Sequence, residues 1–146
     1  MLKLGSTYLK VKDMDKSIAF YSALLQMSPS AKNADRWAQF DFEGHCIALW
    51  SPEFDRELIS KGERLSEYYS DSYVDFYKNN DIKYGNNFVL NFYTDNLNDE
   101  YKRLKKLNIG EMTSIMLINV SMPYYLFIIN DPDGNEIEIT GNYNKE

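Results

Sequence analysis

Thiol and imidazole chemistry have little to work with in this sequence, which contains one cysteine, Cys46, and one histidine, His45. A single thiol excludes an intramolecular disulfide and a cysteine-based zinc cluster within one chain. Glycine and proline are scarce, at 7 and 4 residues, which is not the composition of a disordered segment. Basic residues are too few for a nucleic-acid partner: 16 against 22 acidic ones leave a formal charge of −6, which repels a phosphate backbone. No apolar run approaches the roughly 20 residues that span a membrane, and the opening MLKLGSTYLKVKD lacks a secretory apolar stretch. A cytoplasmic protein is expected, with no membrane partner.

What the chain has in quantity is apolar and aromatic surface, 44% hydrophobic and 15% aromatic residues in 146. That is enough for one compact domain or two small fused modules with a real core. An acidic chain rich in rings suits a cationic or neutral small ligand.

Residues 5–11 alternate as a half-buried strand, with Thr7, Leu9 and Val11 on one face and Ser6, Tyr8 and Lys10 on the other. Asp13 is a candidate cap for a helix whose stripe is Met14, Ile18, Tyr21 and Leu25, stopped by Ser28-Pro29. A polar loop over residues 31–35 leads to strands at 36–42 and 46–50 about an Asp-Phe-Glu-Gly-His turn at 41–45. Ser51-Pro52 opens a helix, with Ser51 able to cap it and Gly62 ending it. Residues 65–77 predict one further helix with Leu65, Tyr69, Tyr73 and Phe76 or Tyr77 on a stripe; it either lids the ligand site or packs where the halves meet. A polar linker follows at 81–87.

The pattern then restarts. Residues 87–94 predict a strand, Asp95 or Asn96 a cap, and Leu97, Tyr101, Leu104 and Leu107 a helix stripe ended by Asn108 and Gly110. Strands are expected at 112–120 and 124–130, broken by Ser121-Met122-Pro123. The closing run DPDGNEIEIT supplies a Pro-Asp-Gly-Asn turn and a last strand with Glu136, Glu138 and Thr140 opposite Ile137 and Ile139. VKDM at 11–14 aligns with TDNL at 94–97, and Gly44 with Gly134, so the chain reads as two tandem βαβββ units.

With KVKDMDKSIAFYSALL, NFYTDNLNDEYKRLKKLNI and MPYYLFIINDPDGNEIEI in place, nearly the whole chain resembles the vicinal oxygen chelate superfamily of glyoxalases, extradiol dioxygenases and bleomycin-resistance proteins. The resemblance implies an α+β fold in which the two modules form a cup-shaped mixed sheet with helices packed outside. It implies a single domain of residues 1–146, with module 1 at about 1–51, linker helices at about 52–84 and module 2 at about 85–146. It further implies a homodimer.

Members of that family draw metal ligands from the first and last strand of each module, positions that correspond here to Ser6, Ala48, Val89 and Glu138. Of these only Glu138 is an ordinary metal ligand, where a transition metal takes three or four His or carboxylate donors. No metal and no other cofactor is expected; a divalent metal is the alternative. His45 shares parity with Ile47 and Leu49 and should point away from the cup. Cys46 reads best as a small buried hydrophobe.

Parity assigns the ligand-facing set as Ser6, Tyr8, Lys10, Ala48 and Trp50, then Val89, Asn91, Tyr93, Glu136 and Thr140, with Glu138 as the candidate catalytic group. Cys46 also shares this face. Trp50, Tyr8 and Tyr93 can stack on a ligand, Ser6 and Asn91 can orient it, and Glu138 can meet a positive charge. A buried Glu with neither metal nor cation has a raised pKa and can serve as an acid or base. Trp37, Phe40, Tyr124 and Tyr125 lie on middle strands where a bulge would exchange faces, and they stay unassigned. Three readings follow. The first is a metal-independent protein of the bleomycin-resistance type, binding a small cationic aromatic molecule. The second is a glyoxalase I-like lyase or isomerase using Glu138 as base or metal ligand. The third is a ligand-free structural or regulatory dimer.

Overall fold

The computed structural model describes residues 1, 5–86, 88–119 and 122–145. Its elements run β1 (Thr7–Lys10), α1 (Met14–Leu25), β2 (Ala31–Asn33), β3 (Trp37–Phe42), β4 (His45–Trp50), α2 (Pro52–Lys61), α3 (Leu65–Tyr68) and α4 (Asp71–Asn79). The order then repeats as β5 (Leu90–Thr94), α5 (Leu97–Leu107), β6 (Met116–Asn119), β7 (Pro123–Asn130) and β8 (Glu136–Gly141). This is an α+β fold of two tandem βαβββ modules. Its strands form two open four-stranded mixed sheets, ordered β1-β4-β3-β2 and β5-β8-β7-β6. In each, the first strand runs parallel to the last and the other pairings are antiparallel. Contacts group residues 1–18 with 27–84 as one unit, and residues 19–26 with 85–146 as another.

In the first unit, a two-residue turn sets the register. Glu43 and Gly44 both take positive φ, 48° and 74°, as a type I′ turn requires, so Phe42 faces His45 and, further along, Trp37 faces Trp50. Alternation then buries Leu9, Ala38, Phe40, Ile47 and Leu49 and turns Tyr8, Lys10, Trp37, Gln39 and Asp41 to the other face. Residues 31–33, expected as loop, instead form β2, whose edge pairing Ala31 to Gln39 requires no buried side chain. Helix α2 starts with proline and acidic residues and ends on left-handed Gly62. Ser51 makes no side-chain cap; it is buried, and its N–H donates to the Arg36 carbonyl at 2.9 Å. The single helix expected over 65–77 is two, α3 and α4. Tyr69 is extended between them, and Ser70 caps α4 by accepting from the Tyr73 N–H. The buried stripe residue is Tyr77, with Phe76 exposed, and it packs with Ile59 and Val74 against Trp50, Leu65, Tyr69 and Tyr73.

The second unit repeats the logic. Asn96 caps α5 by accepting from the Asp99 N–H, acidic residues fill its first turn and lysines its last, and Asn108 closes it in the left-handed region. Leu97 and Leu104 are fully buried, as are Phe127, Ile129 and Ile137. Helix α1 has no basic residue in its last turn; Arg103 supplies one in space, donating to the Ala23 and Leu24 carbonyls at 2.8 and 2.9 Å. The closing turn is organised by Asp131. Its carboxylate accepts from the N–H groups of Asp133 and Asn135, from the Asn135 amide, and from the buried Tyr21 hydroxyl at 2.8 Å. The strand expected over 112–120 shortens to β6, with Met112 held by a lone bridge to Ile129. Pro123, expected as part of the break, begins β7, since a strand's first residue needs no ladder donor. Strand β5 starts at Leu90 rather than 87; Asn87, Val120 and Ser121, which fall in these expected segments, lie outside the described residues.

Candidate functional site

Strands β1, β4 and β3 lie side by side, so one face of the first sheet collects their like-parity side chains. Ala48 stands between Tyr8 and Gln39, and Trp50 stands between Lys10 and Trp37. Ala48 is fully buried; its small side chain forms a floor that leaves the flanking rings room. The Tyr8 ring lies 5.3 Å from Trp37 and 6.0 Å from Trp50, tilted to both, as aromatic quadrupoles prefer. Tyr8 is 51% exposed, so the described side chains of its unit leave half of it open. Beyond the rings, Asp41 accepts from Ser30 at 2.6 Å and from the Gln39 amide. Those bonds, the Ser30 one first, hold its carboxyl below the usual carboxylate range. Burial, then Asp41, pushes the Cys46 thiol up, so Cys46 stays protonated and is a poor nucleophile. Beside Trp50 a cavity of about 270 Å³ opens, lined by Lys10, Tyr77 and Lys83 among others. The Tyr77 hydroxyl is buried without a hydrogen-bond partner among the described residues.

Behind the rings sits a buried acid. Asp55 is 0% exposed and accepts five hydrogen bonds: Arg36 Nε and Nη2 at 2.7 and 3.0 Å, Tyr69 and Tyr73 hydroxyls at 2.6 and 2.8 Å, and Trp50 Nε1 at 3.3 Å. Burial alone would raise its pKa, but the bonds from Arg36, Tyr69 and Tyr73 outweigh it and hold the carboxyl below its ordinary value. Asp55 in turn keeps the Arg36 guanidinium charged. Burial, then this acid, pushes Tyr69 and Tyr73 up, so both hydroxyls keep their protons and donate. The orientation of Trp50 is therefore set by a bond to a group that is itself fully satisfied.

The second unit presents a different face. Glu138 lies directly across from Asn91, whose amide donates to Oε1 at 2.7 Å and reaches the Thr140 hydroxyl at 3.4 Å. Thr140 donates onward to the Phe92 carbonyl, while Tyr93 stands 65% exposed on the same face. Glu138 is half-buried, not buried. Among the described residues it is an acceptor with one fixed donor, on Oε1.

The sequence-derived set thus falls into two groups, each described in its own unit. In the first, Tyr8, Lys10, Ala48 and Trp50 share a face, while Ser6 precedes β1. In the second, Asn91, Tyr93, Glu138 and Thr140 share a face with half-buried Glu136, whereas Val89 precedes β5 and is 52% exposed. The ladder partner of Glu138 on β5 is Asn91 and that of Ala48 on β1 is Tyr8. His45 is exposed at the turn, and Cys46 is half-buried rather than buried. Trp37, left unassigned, belongs to the ring cluster; a two-residue reading of Glu43-Gly44 would have placed it beside Trp50. Phe40 is buried on the opposite face, Tyr124 is exposed and Tyr125 packs on Tyr143 at 4.6 Å. The Asp55 hub was missed, since no local pattern links residues 36, 50, 55, 69 and 73.

Paired βαβββ modules with mixed sheets define a class of small α+β proteins that carry side-chain sites on their sheet faces. The chain belongs to the Glyoxalase/Bleomycin resistance protein/Dioxygenase superfamily, whose model matches residues 3–139. Among solved structures it is similar to a lactoylglutathione lyase from Agrobacterium tumefaciens, at 18% identity over 96% of this chain and 93% of that one, with a TM-score of 0.62. It is also similar to an integron cassette protein from V. cholerae, at 21% identity over 97% and 98% of the two chains, TM-score 0.61. A bleomycin-binding protein complexed with bleomycin matches at 14% identity over 97% and 99%, TM-score 0.58. No curated protein sequence matches the chain. The residues at the family's metal positions do not fit a metal. Ser6, Ala48 and Val89 carry no ordinary metal donor, Glu138 accepts from the Asn91 amide, and no three His, Cys, Asp or Glu residues among the described ones gather to hold an ion. No helix among the described residues is long and apolar enough to cross a membrane.

Proposed function

We propose that this chain is a metal-independent small-molecule-binding protein of the bleomycin-resistance type, acting in the cytoplasm as a homodimer and holding a planar cationic ligand on the first sheet. The observation that carries the reading is the open cluster of Tyr8, Trp37 and Trp50 on three adjacent strands, with Asp41 on the same face. Ring faces attract cations and planar groups, and an acidic chain of charge −6 raises the local concentration of a cation. Similarity in fold to a protein complexed with bleomycin supports a small molecule as the partner. Titrating the full chain with a panel of planar cations, bleomycin included, tests it through tryptophan fluorescence. Saturable quenching is the expected result, and a panel without response removes the reading.

The second reading, a glyoxalase I-like lyase or isomerase, is favoured by one feature: the half-buried Glu138 oriented by Asn91 on an open face, as a general base needs. Turnover of a glutathione hemithioacetal that is lost in Glu138→Gln is its test; an inactive protein removes it. The ligand-free dimer stands third, because an unfilled face with Tyr8 half exposed supports a ligand.

A further inference from the structure

Arg36 uses one side of its guanidinium on Asp55. Nε and Nη2 bond side-on to the two carboxylate oxygens, the Tyr73 hydroxyl also meets the guanidinium, and Nη1 takes no part in the pair with Asp55. The side chain is 34% exposed while that of Asp55 is 0% exposed, so the surface beside them meets the cation and not the anion. That surface is a cavity of about 780 Å³, walled by Phe54, Leu58, Tyr68 and Tyr73 with Asn33 at its rim, a volume in the range of small-molecule pockets. Tyr69 and Tyr73 stack at 5.1 Å with 11° between their planes, so this wall is flat and rigid.

We propose that this cavity is a second small-molecule site, separate from the ring cluster on the first sheet, and that it takes an aromatic carboxylate. The carboxylate accepts from Nη1 of Arg36, and the ring lies against Tyr68 and Phe54. A guanidinium pre-set by a buried acid offers a fixed planar edge, which suits a flat monoanion; having already shared its charge with Asp55, it suits a dianion less. Occupancy is felt at Trp50, because its indole N–H and Nη2 of Arg36 donate to the same oxygen of Asp55, Oδ2. This inference does not depend on what the sheet face binds.

The test is titration of the full chain with 2-naphthoate and with its neutral amide, 2-naphthamide. Binding is followed by calorimetry and by Trp50 emission in a Trp37→Phe background. The acid is expected to bind at least about tenfold more tightly than the amide, the size of a charge-assisted hydrogen bond. Arg36→Lys should weaken it by a similar factor. Because that change also disturbs Asp55, Asn33→Trp serves as a second variant: it crowds the rim from an exposed strand and leaves the Arg36–Asp55 pair alone. Tyr8→Ala should leave naphthoate binding unchanged. Equal affinity for acid and amide, full binding in Asn33→Trp, loss in Tyr8→Ala, or no response at millimolar naphthoate would each overturn the proposal.

Discussion

The indole N–H of Trp50 donates to the carboxylate of Asp55 at 3.3 Å, which ties a ring of the open sheet face to an acid that has no contact with water. The same acid holds Arg36 before β3 and Tyr69 and Tyr73 on either side of the α3–α4 break. Replacing it therefore acts on stability and on the ring cluster together. Asp55→Asn removes one acceptor and leaves Arg36 uncompensated, a change that costs about 3 kcal/mol for a buried pair, at the low end because Arg36 is partly solvated. Urea unfolding should show that loss and Trp50 emission should shift; an unchanged midpoint would show that the five bonds are not cooperative.

The pH dependence follows from the same groups. Asp55 is held below its ordinary pKa, so the unfolded chain binds a proton there before the folded one does. Its contribution is present above about pH 4 and is lost as pH falls through the folded value. Tyr69, Tyr73 and Tyr77 are raised, burial being the first cause in each, so the unfolded chain loses those protons first. Stability should fall as pH rises above about 10. Thermal melts across both limbs check this; equal alkaline slopes in the wild type and a Tyr69→Phe, Tyr73→Phe double variant would remove those two tyrosines from the account.

For the ring cluster, each ring that meets a bound cation contributes about 0.5–1 kcal/mol at an exposed site and more when desolvated. Tyr8→Ala and Trp37→Leu should each weaken a planar cation by roughly two- to tenfold, with the fold intact because Tyr8 is half exposed. Fluorescence titration through Trp50 reads it. Undiminished binding in both variants would move the ligand off this face.

Glu138 gives a contrast. It is half-buried with one donor, so Glu138→Gln should change stability by no more than about 0.5 kcal/mol, as substitutions away from buried networks do. Tyr21→Phe, by comparison, removes a buried hydroxyl that donates to Asp131 and should cost about 1.5–3 kcal/mol, the size of a hydrogen bond to a charged group. Chemical denaturation of the two variants side by side checks the ranking; a larger loss at Glu138 would mean that its side chain carries structure as well as a site.

The limits of the sequence follow from the range of each interaction. Alternation in residues 5–11, the Asn96 cap and the DPDG turn are local patterns, and each appears in the structure close to where it was expected. The break at Tyr69–Ser70 was not legible, because the helical stripe continues through it and Ser70 as a cap competes with propensity only once Tyr69 reaches Asp55. The pairing of Glu138 with Asn91 depends on the register of two parallel strands separated by a long connection, which no turn sets.

Amino-acid order alone therefore determined the doubled strand–helix–strand order apart from β2 and the parity of its strands, since these rest on period, turn chemistry and caps within short windows, while the family was legible only as a resemblance of whole motifs. Tertiary structure decided which rings meet on the first sheet and which side chains close on Asp55. Those contacts join residues 8, 36, 37, 50, 55, 69 and 73, and only the register of β1, β4 and β3 and the packing of α2, α3 and α4 bring them within hydrogen-bonding and stacking distance.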